Sequence, residues 1–344
     1  MKLGRLIFFA LAMFILITCV FLYINSDYVV SMYEMRKNRE AEESRAKYIE
    51  SPRKDYCYVV DGKIFILDGN HMSAMDFDGN LLYERVLTAD DAKMMGAGGY
   101  IFFVDDESKT MDIIDSENHL IMESEPINNI NGLREIGDKI VLYSDDGLNF
   151  ETRVFDDNLD PYLSFLSKDA SIDLVPTKDG FKVLSLRRTE NGLSSLFSKV
   201  NTKKEITSLF ELSGYVPLRL FESSGGDILV TDKEVILIKN GEVDARRTYE
   251  DFYGMEKINK NYILIADGET IIMDDSLNAI KKVPSSGLDH IYKLDKELVI
   301  YGGREFKVVG DDGLISSVET ERDIERIHYD GRIVVEFRNG FLIY

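Results

Sequence analysis

Glu297-Leu298-Val299-Ile300-Tyr301, an apolar run set behind the Asp295-Lys296 turn, is one of eight such runs in the chain. The others are Lys63-IFIL, Tyr100-IFFV, Lys139-IVLY, Phe181-KVLSL, Asp227-ILV, Tyr262-ILIA and Arg332-IVVEF, each behind a Gly, Asn or Asp turn. Counted from first residue to first residue, they fall 37, 39, 42, 46, 35, 35 and 35 apart. A period in this range marks a repeat architecture. The runs are too short and too β-branched for helices, and their unbroken apolar character suits strands covered on both faces. Phe181-KVLSLRR departs most from the pattern and marks the fourth unit as irregular.

Each run sits inside a larger unit. A short strand precedes it, as in Cys57–Val60 or Gly254–Ile258. A third strand follows, as in Met72–Phe77, Thr110–Ile114, Glu234–Ile238 or Glu305–Val309. Then comes a turn of residues that tolerate positive φ (Asp78-Gly79, Glu117-Asn118, Asp157-Asn158, Asn240-Gly241, Asp312-Gly313) and a more polar fourth strand, as in Leu81–Leu87 and Leu314–Glu319. Four strands in about 36 residues, repeated, predict an all-β fold, a β-propeller of four-stranded blades. The count is eight, with seven as the alternative. The last unit offers only three strands, Ile324–His328, Gly331–Phe337 and Asn339–Tyr344, so residues just ahead of Tyr56 are expected to supply its fourth and zip the ring shut.

The first 54 residues differ in kind. Leu6–Ile24 is an uninterrupted apolar stretch of nineteen residues, long enough as a helix to cross a bilayer, and Tyr23–Asp27 offers no small-x-small cleavage site. Thr18 before Cys19 argues against a lipoprotein signal. A cleaved signal peptide and a buried soluble helix are the alternatives to a retained anchor. Lys2 and Arg5 ahead of the span favour a cytoplasmic N-terminus and an exported remainder, although Arg36, Lys37 and Arg39 follow it. The expected layout is a cytoplasmic tail over 1–5, a transmembrane helix over 6–24, a helical stalk over 25–54 and the propeller over 55–344. The stalk reading rests on helix formers and on pairs such as Glu34–Lys37 and Arg36–Glu40, with Pro52 ending it. It is too short and too polar for a coiled coil.

Asp76-x-Asp78-Gly79-Asn80 and its strand resemble the repeats of quinoprotein-like and WD-like propellers. The order of parts is similar to an uncharacterised family of membrane-anchored propellers of Gram-positive bacteria: the N-terminal span, Gly62-KIFILDG, Glu125-Pro126-Ile127, Val175-PTKDGFKVLSL and Val216-PLRLF. That resemblance implies the fold over nearly the whole chain and supplies no catalytic residues. Quinone-dependent dehydrogenases of this fold stack their cofactor on tryptophan and commonly use a vicinal disulfide. This chain of 344 residues has no Trp, and its two cysteines, Cys19 and Cys57, are far apart.

With 41 basic and 61 acidic side chains the net charge is −20, which repels phosphate backbones, so no nucleic-acid partner is expected. Asp76–Asn80 has a calcium-loop flavour, but Leu81 and Leu87 stand where an EF-hand needs Gly and Glu. Asp105-Asp106, Asp145-Asp146 and Asp274-Asp275 read as turns. His71, His119, His290 and His328 lie in separate units, which reads as surface or strand-end histidine. Of Arg187-Arg188, Lys203-Lys204, Arg246-Arg247 and Lys281-Lys282, three fall around fourth strands, on the rim, and read as solvated charges that block edge pairing, with a membrane-facing or cell-wall-facing rim as the alternative. No Walker loop, GxSxG elbow or HExxH helix occurs. The expectation is therefore no catalytic, cofactor or metal site. The chain reads as a membrane-tethered extracytoplasmic interaction module with an unidentified protein partner and a bilayer contact through its N-terminal helix. The alternative is an exported enzyme or ligand receptor with its site in the propeller channel.

Overall fold

The computed structural model describes residues 46–51 and 54–344. Eight four-stranded antiparallel sheets account for them, so the blade number is eight rather than seven. Blades 1 to 7 cover residues 56–86, 93–126, 129–167, 170–213, 217–248, 252–284 and 290–319. In each of these the strand order in the sheet is the order in the chain. The first strands of neighbouring blades touch one another around the ring, which makes them the channel wall and the fourth strands the rim.

Blade 8 differs. Its first three strands are Arg326–Tyr329, Ile333–Phe337 and Gly340–Ile343, and its outer strand is Lys47–Glu50. Lys47 pairs with Ile343 and Glu50 with Gly340. The fourth strand thus comes from ahead of Tyr56, as the missing strand of the last unit required. The helical reading of 25–54 fails at its end, because Lys47–Glu50 is extended and belongs to the propeller. The physical reason is that Ile49 can bury against Val334 and Phe341 only if its strand pairs at this edge. Residues 25–45 of that stalk and the span Leu6–Ile24 lie outside the described residues. Among the described residues no helix is long and apolar enough to cross a membrane.

The core is divided. Eight clusters of buried apolar side chains each join two consecutive blades, for example Phe65, Met72, Ile101 and Phe103 between blades 1 and 2. Second strands such as Lys63–Asp68 and Leu298–Gly302 are buried almost throughout, whereas outer strands such as Glu242–Thr248 alternate. The irregular fourth unit forms the longest second strand, Gly180–Thr189, which pairs along its whole length.

The third-to-fourth-strand turns share one construction in blades 1, 2, 3, 4 and 6. The side chains of Asp76, Asp115, Asp156, Asn201 and Asp274 each accept the backbone N–H groups two and four residues on. The residue three on (Gly79, Asn118, Leu159, Lys204 or Leu277) takes a positive φ. Asp76 is therefore a turn former, its carboxylate held below the usual range by its bonds to Asn80 and Asp78.

In blades 1 to 7 one extra residue bulges from the fourth strand just after this turn, at Leu82, Ile121, Tyr162, Leu209, Asp244, Ile280 and Ile315.

The closure predicts an asymmetry in stability. Phe341 is fully buried at the seam between blades 8 and 1, whereas Leu148, in a loop of blade 3, is 77% exposed. Phe341→Ala should cost about 3–5 kcal/mol, whereas Leu148→Ala stays within ±0.5 kcal/mol. Urea unfolding of the two variants checks this, and similar midpoints would contradict closure at this seam.

Candidate functional site

Four consecutive first strands, those of blades 3 to 6, carry a bulge, between Ile130 and Gly132, Ser171 and Asp173, Pro217 and Arg219, and Phe252 and Gly254. Beyond each bulge a charged side chain joins a belt of alternating sign. Arg134 Nη1 lies 2.9 Å from Asp173 Oδ1, and Arg219 Nη2 lies 2.7 Å from Glu256 Oε1. Arg219 Nε reaches within 3.4 Å of Asp173 Oδ2, and the Leu220 N–H donates to that same oxygen at 2.9 Å. Asp173 is the most enclosed member, its side chain 4% exposed. Burial raises the Glu256 carboxyl, against the lowering pull of Arg219, Lys293 and Arg134.

Nearer the turns between first and second strands, side chains of neighbouring blades meet. Tyr58 of blade 1 lies across Gly96 of blade 2, where a Cβ would fall 2.2 Å from its ring. Burial, and then the charge of Glu135 on blade 3, raise the Tyr58 hydroxyl. Burial also raises the hydroxyl of Tyr292 on blade 7, and Glu135 adds to it from the opposite side of the ring. The channel interior is thus occupied by side chains that act on one another. Its charged groups are close together, but each belt charge faces an opposite one. A reacting pair needs a free carboxylate or base, and the belt presents compensated ones.

A second cluster forms at the closing seam. His328 Nε2 lies 2.7 Å from Glu336 Oε2, Lys54 Nζ lies 3.6 Å from Glu336 Oε1, and all three side chains are nearly buried. The Cys57 sulfur completes a group whose donor atoms, with those of His328 and Glu336, fall within 4.8 Å of one another. Cys, His and Glu are a zinc-type donor set. Lys54, however, already supplies the positive charge. A divalent ion would set three positive charges against at most two negative ones in a buried site, so the geometry suits an ion-pair knot better than a metal centre. Burial, followed by the charge of Glu336, raises the Cys57 thiol well above its ordinary value, leaving it neutral and a poor nucleophile. Burial pulls Glu336 upward too, but the hydrogen bond from His328 and the charges of His328, Lys54 and Arg326 outweigh it and hold the carboxyl low.

Of the two readings, surface or strand-end, His328 fits the second: it is nearly buried next to the end of the strand Arg326–Tyr329, and ring closure brings it to Cys57, 271 residues earlier in the chain. His71 and His119 are exposed, and His290 lies against Tyr301 with ring centroids 5.0 Å apart. Asp105 and Asp146 bond the N–H groups of their own turns. Among the basic doublets, Arg187 makes a two-pronged bond to Asp169, Arg246 pairs with Glu234, and Lys281 donates to the Asp312 carbonyl in the next blade. Arg187 lies on a second strand rather than the rim.

The belt escaped sequence reading, although Arg134, Asp173, Arg219 and Glu256 recur at intervals of 39, 46 and 37, close to the repeat spacing, with alternating sign. Their distance from the following apolar run varies, five residues for Arg134, six for Glu256 and eight for Asp173 and Arg219, which hides the pattern. The seam cluster has no local signal at all.

No family model matches the chain, and no curated protein does. Solved structures do. BamB from Moraxella catarrhalis is similar over 87% of this chain and 98% of its own, with TM-score 0.54 and 8% identity. Saccharomyces cerevisiae Sqt1 is similar over 86% and 97%, with TM-score 0.58 and 9% identity. A eukaryotic initiation factor matches over 84% and 82%, with TM-score 0.54 and 12% identity. At such identities the likeness is one of fold, a β-propeller.

Two predictions separate the roles of these charges. Asp173→Asn leaves two arginines facing each other and should cost about 3–5 kcal/mol, whereas Glu256→Gln keeps an acceptor for Arg219 and should cost about 1 kcal/mol or less. Chemical denaturation of both variants gives the comparison; equal losses would mean that the belt does not hinge on Asp173. At the seam, the folded-state value of Glu336 is depressed, so its contribution is present above the ordinary glutamate range and disappears as pH falls through the lower folded value. Glu336→Gln should flatten the acid side of the stability–pH curve, and an unchanged slope would refute the assignment.

Proposed function

We propose that the chain is a membrane-tethered propeller displayed outside the cytoplasm, acting as a protein-interaction module through the outer strands of blades 1 to 4. One observation carries the interaction reading. Of fourteen large apolar side chains exposed among the described residues, eleven lie on outer strands, and nine of these lie on blades 1 to 4: Leu81, Leu82, Val86, Leu120, Ile121, Tyr162, Leu166, Ile206 and Leu209. The outer strands of blade 5, Glu242–Thr248, and blade 8, Lys47–Glu50, carry none of them. Outer strands have one unpaired edge, and apolar exposure there invites association unless something covers it. The outer strand of blade 5 alternates around solvated charges, whereas the outer strands along this arc also expose large apolar side chains.

The tether rests on Leu6–Ile24 and on the charges Lys2 and Arg5 ahead of it. A site in the channel is the weaker alternative, because the charged groups there are engaged with one another.

Photoreactive residues placed at Ile121 and Tyr162 in the full chain in its native membranes should trap a protein of one defined mass. The same residue at Arg246 on blade 5 should not, and Leu82→Glu with Leu209→Glu should abolish trapping. Identical adducts from all three sites would overturn the arc. Alkaline extraction that released the full chain from membranes, or a propeller shielded from protease added outside intact cells, would overturn the tether.

A further inference from the structure

The turns between third and fourth strands do more than reverse the chain. Those of blades 1, 2, 3 and 7 lean on the preceding blade. Ser116 O and Asn118 O, in the turn of blade 2, accept from Lys63 and Tyr83 at 3.0 and 2.6 Å and from Arg85 at 2.9 Å, all on blade 1. Asp157 O accepts from Tyr100 of blade 2 at 3.2 Å, and Asp312 O from Lys281 of blade 6 at 2.7 Å. Asp78, in the turn of blade 1, takes Lys47 of blade 8 at 2.7 Å, with Ile49 packed under Gly79.

Blade 8 has no such turn, because its third and fourth strands, Gly340–Ile343 and Lys47–Glu50, come from distant parts of the chain. Over blade 7, where that turn would lean, there is instead a groove of about 640 Å³. Its floor is Phe306, Val308, Ile315 and Val318 of blade 7, with Ile333 and Tyr344 of blade 8 on the far wall. Phe306 and Tyr344 meet edge to face, 5.4 Å between centroids. The rim carries both signs, with Asp295 and Glu297 beside Lys296 and Arg332.

We infer that this groove is filled by the chain's own segment 28–45, led by Tyr28-Val29-Val30-Ser31-Met32-Tyr33, in place of the missing turn. Three observations select this occupant over a foreign one. The chain enters its outer strand at Lys47, opposite Ile343, so it arrives beside Tyr344 at the groove mouth. The thirteen residues from Glu34 to Ala46 span about 20 Å as a helix or about 43 Å extended, so either form lets the apolar six fold back onto the floor. The intervening run Glu34–Glu43 is of mixed charge, like the rim. Seated there, the segment fixes the angle at which the propeller is carried, whether or not Leu6–Ile24 lies in a bilayer.

Disulfide trapping in the full chain tests this. With Cys19→Ser in the background and Cys57 buried, Val30→Cys paired with Ile315→Cys should oxidise to an intramolecular bridge at least tenfold faster than Val30→Cys paired with Ile280→Cys. Ile280 is the corresponding bulge on blade 6 and is itself exposed. Equal rates, no bridge, or a bridge only between two chains would overturn the proposal. As a second measure, maleimide labelling of Ile315→Cys should accelerate when Val29, Val30 and Met32 are changed to Asp, with the melting curve unchanged; an unaltered rate counts against docking. Membrane extraction of the same proteins reports the tether separately.

Discussion

A four-stranded sheet whose inner strands are apolar on both faces cannot leave either face in water, and here each face is covered by the next sheet. The eight inter-blade clusters are the outcome: side chains such as Ile228, Val235, Tyr262 and Leu264 are fully enclosed only because two blades meet. Burying each such side chain contributes about 1.5–3 kcal/mol, so an uncovered junction would lose many of these contributions at once. An open row of blades has two uncovered faces, whereas a ring has none. Closure is therefore the condition on which the other seven junctions rely, and it is met where Ile49, Ile64, Val334 and Phe341 pack together.

That seam carries a heavier polar load than an ordinary junction. Lys54, Glu336 and His328 are nearly buried there beside the neutral thiol of Cys57. Removing a partner from such a group leaves an uncompensated charge, which costs more than the intact group contributes. The arrangement is consequently intolerant of slippage between the first and last blades. The channel belt acts in the same sense on the other side of the ring. Because Arg134, Asp173, Arg219 and Glu256 alternate in sign, displacing any of these blades by one place would set like charges together. Repeated blades of similar shape could otherwise exchange neighbours during folding, a characteristic failure of repeat proteins.

What could be read in the sequence follows from which interactions are local. The apolar runs, the turns at Asp76, Asp115 and Asp274, and the deficit of one strand in the last unit are all expressed within a few dozen residues, and the fold and its closing strand follow from them. The extended form of Lys47–Glu50 has no local signal, because Lys-Tyr-Ile-Glu carries no strong local preference; its pairing with Gly340–Ile343, nearly 300 residues away, decides its form. His328, Glu336 and Cys57 were invisible as a group for the same reason. The belt is half visible, its period present but its distance from the following apolar run unequal, five residues for Arg134 and eight for Asp173. The exposed bulge residues were hidden because hydropathy does not distinguish Leu82 on the rim from Leu67 in the core; one added residue on the outer strand turns the first outward.

The same bulges bear on where interaction is physically possible. In the channel, the belt charges of blades 3 to 6 are committed to partners on neighbouring blades, so a ligand meeting them would have to displace charge-assisted bonds before making its own. On the rim the cost is smaller. Leu82, Ile121, Tyr162 and Leu209 already face water, and covering them removes apolar surface without breaking an ion pair. With a net charge of −20, a partner meeting this arc gains from apolar contact and, where it is basic, from attraction to the acidic turns around it. Outer strands also hold fewer buried residues than the second and third strands of their blades, and segments of low local stability are those that can adjust to a partner while the inter-blade cores stay fixed.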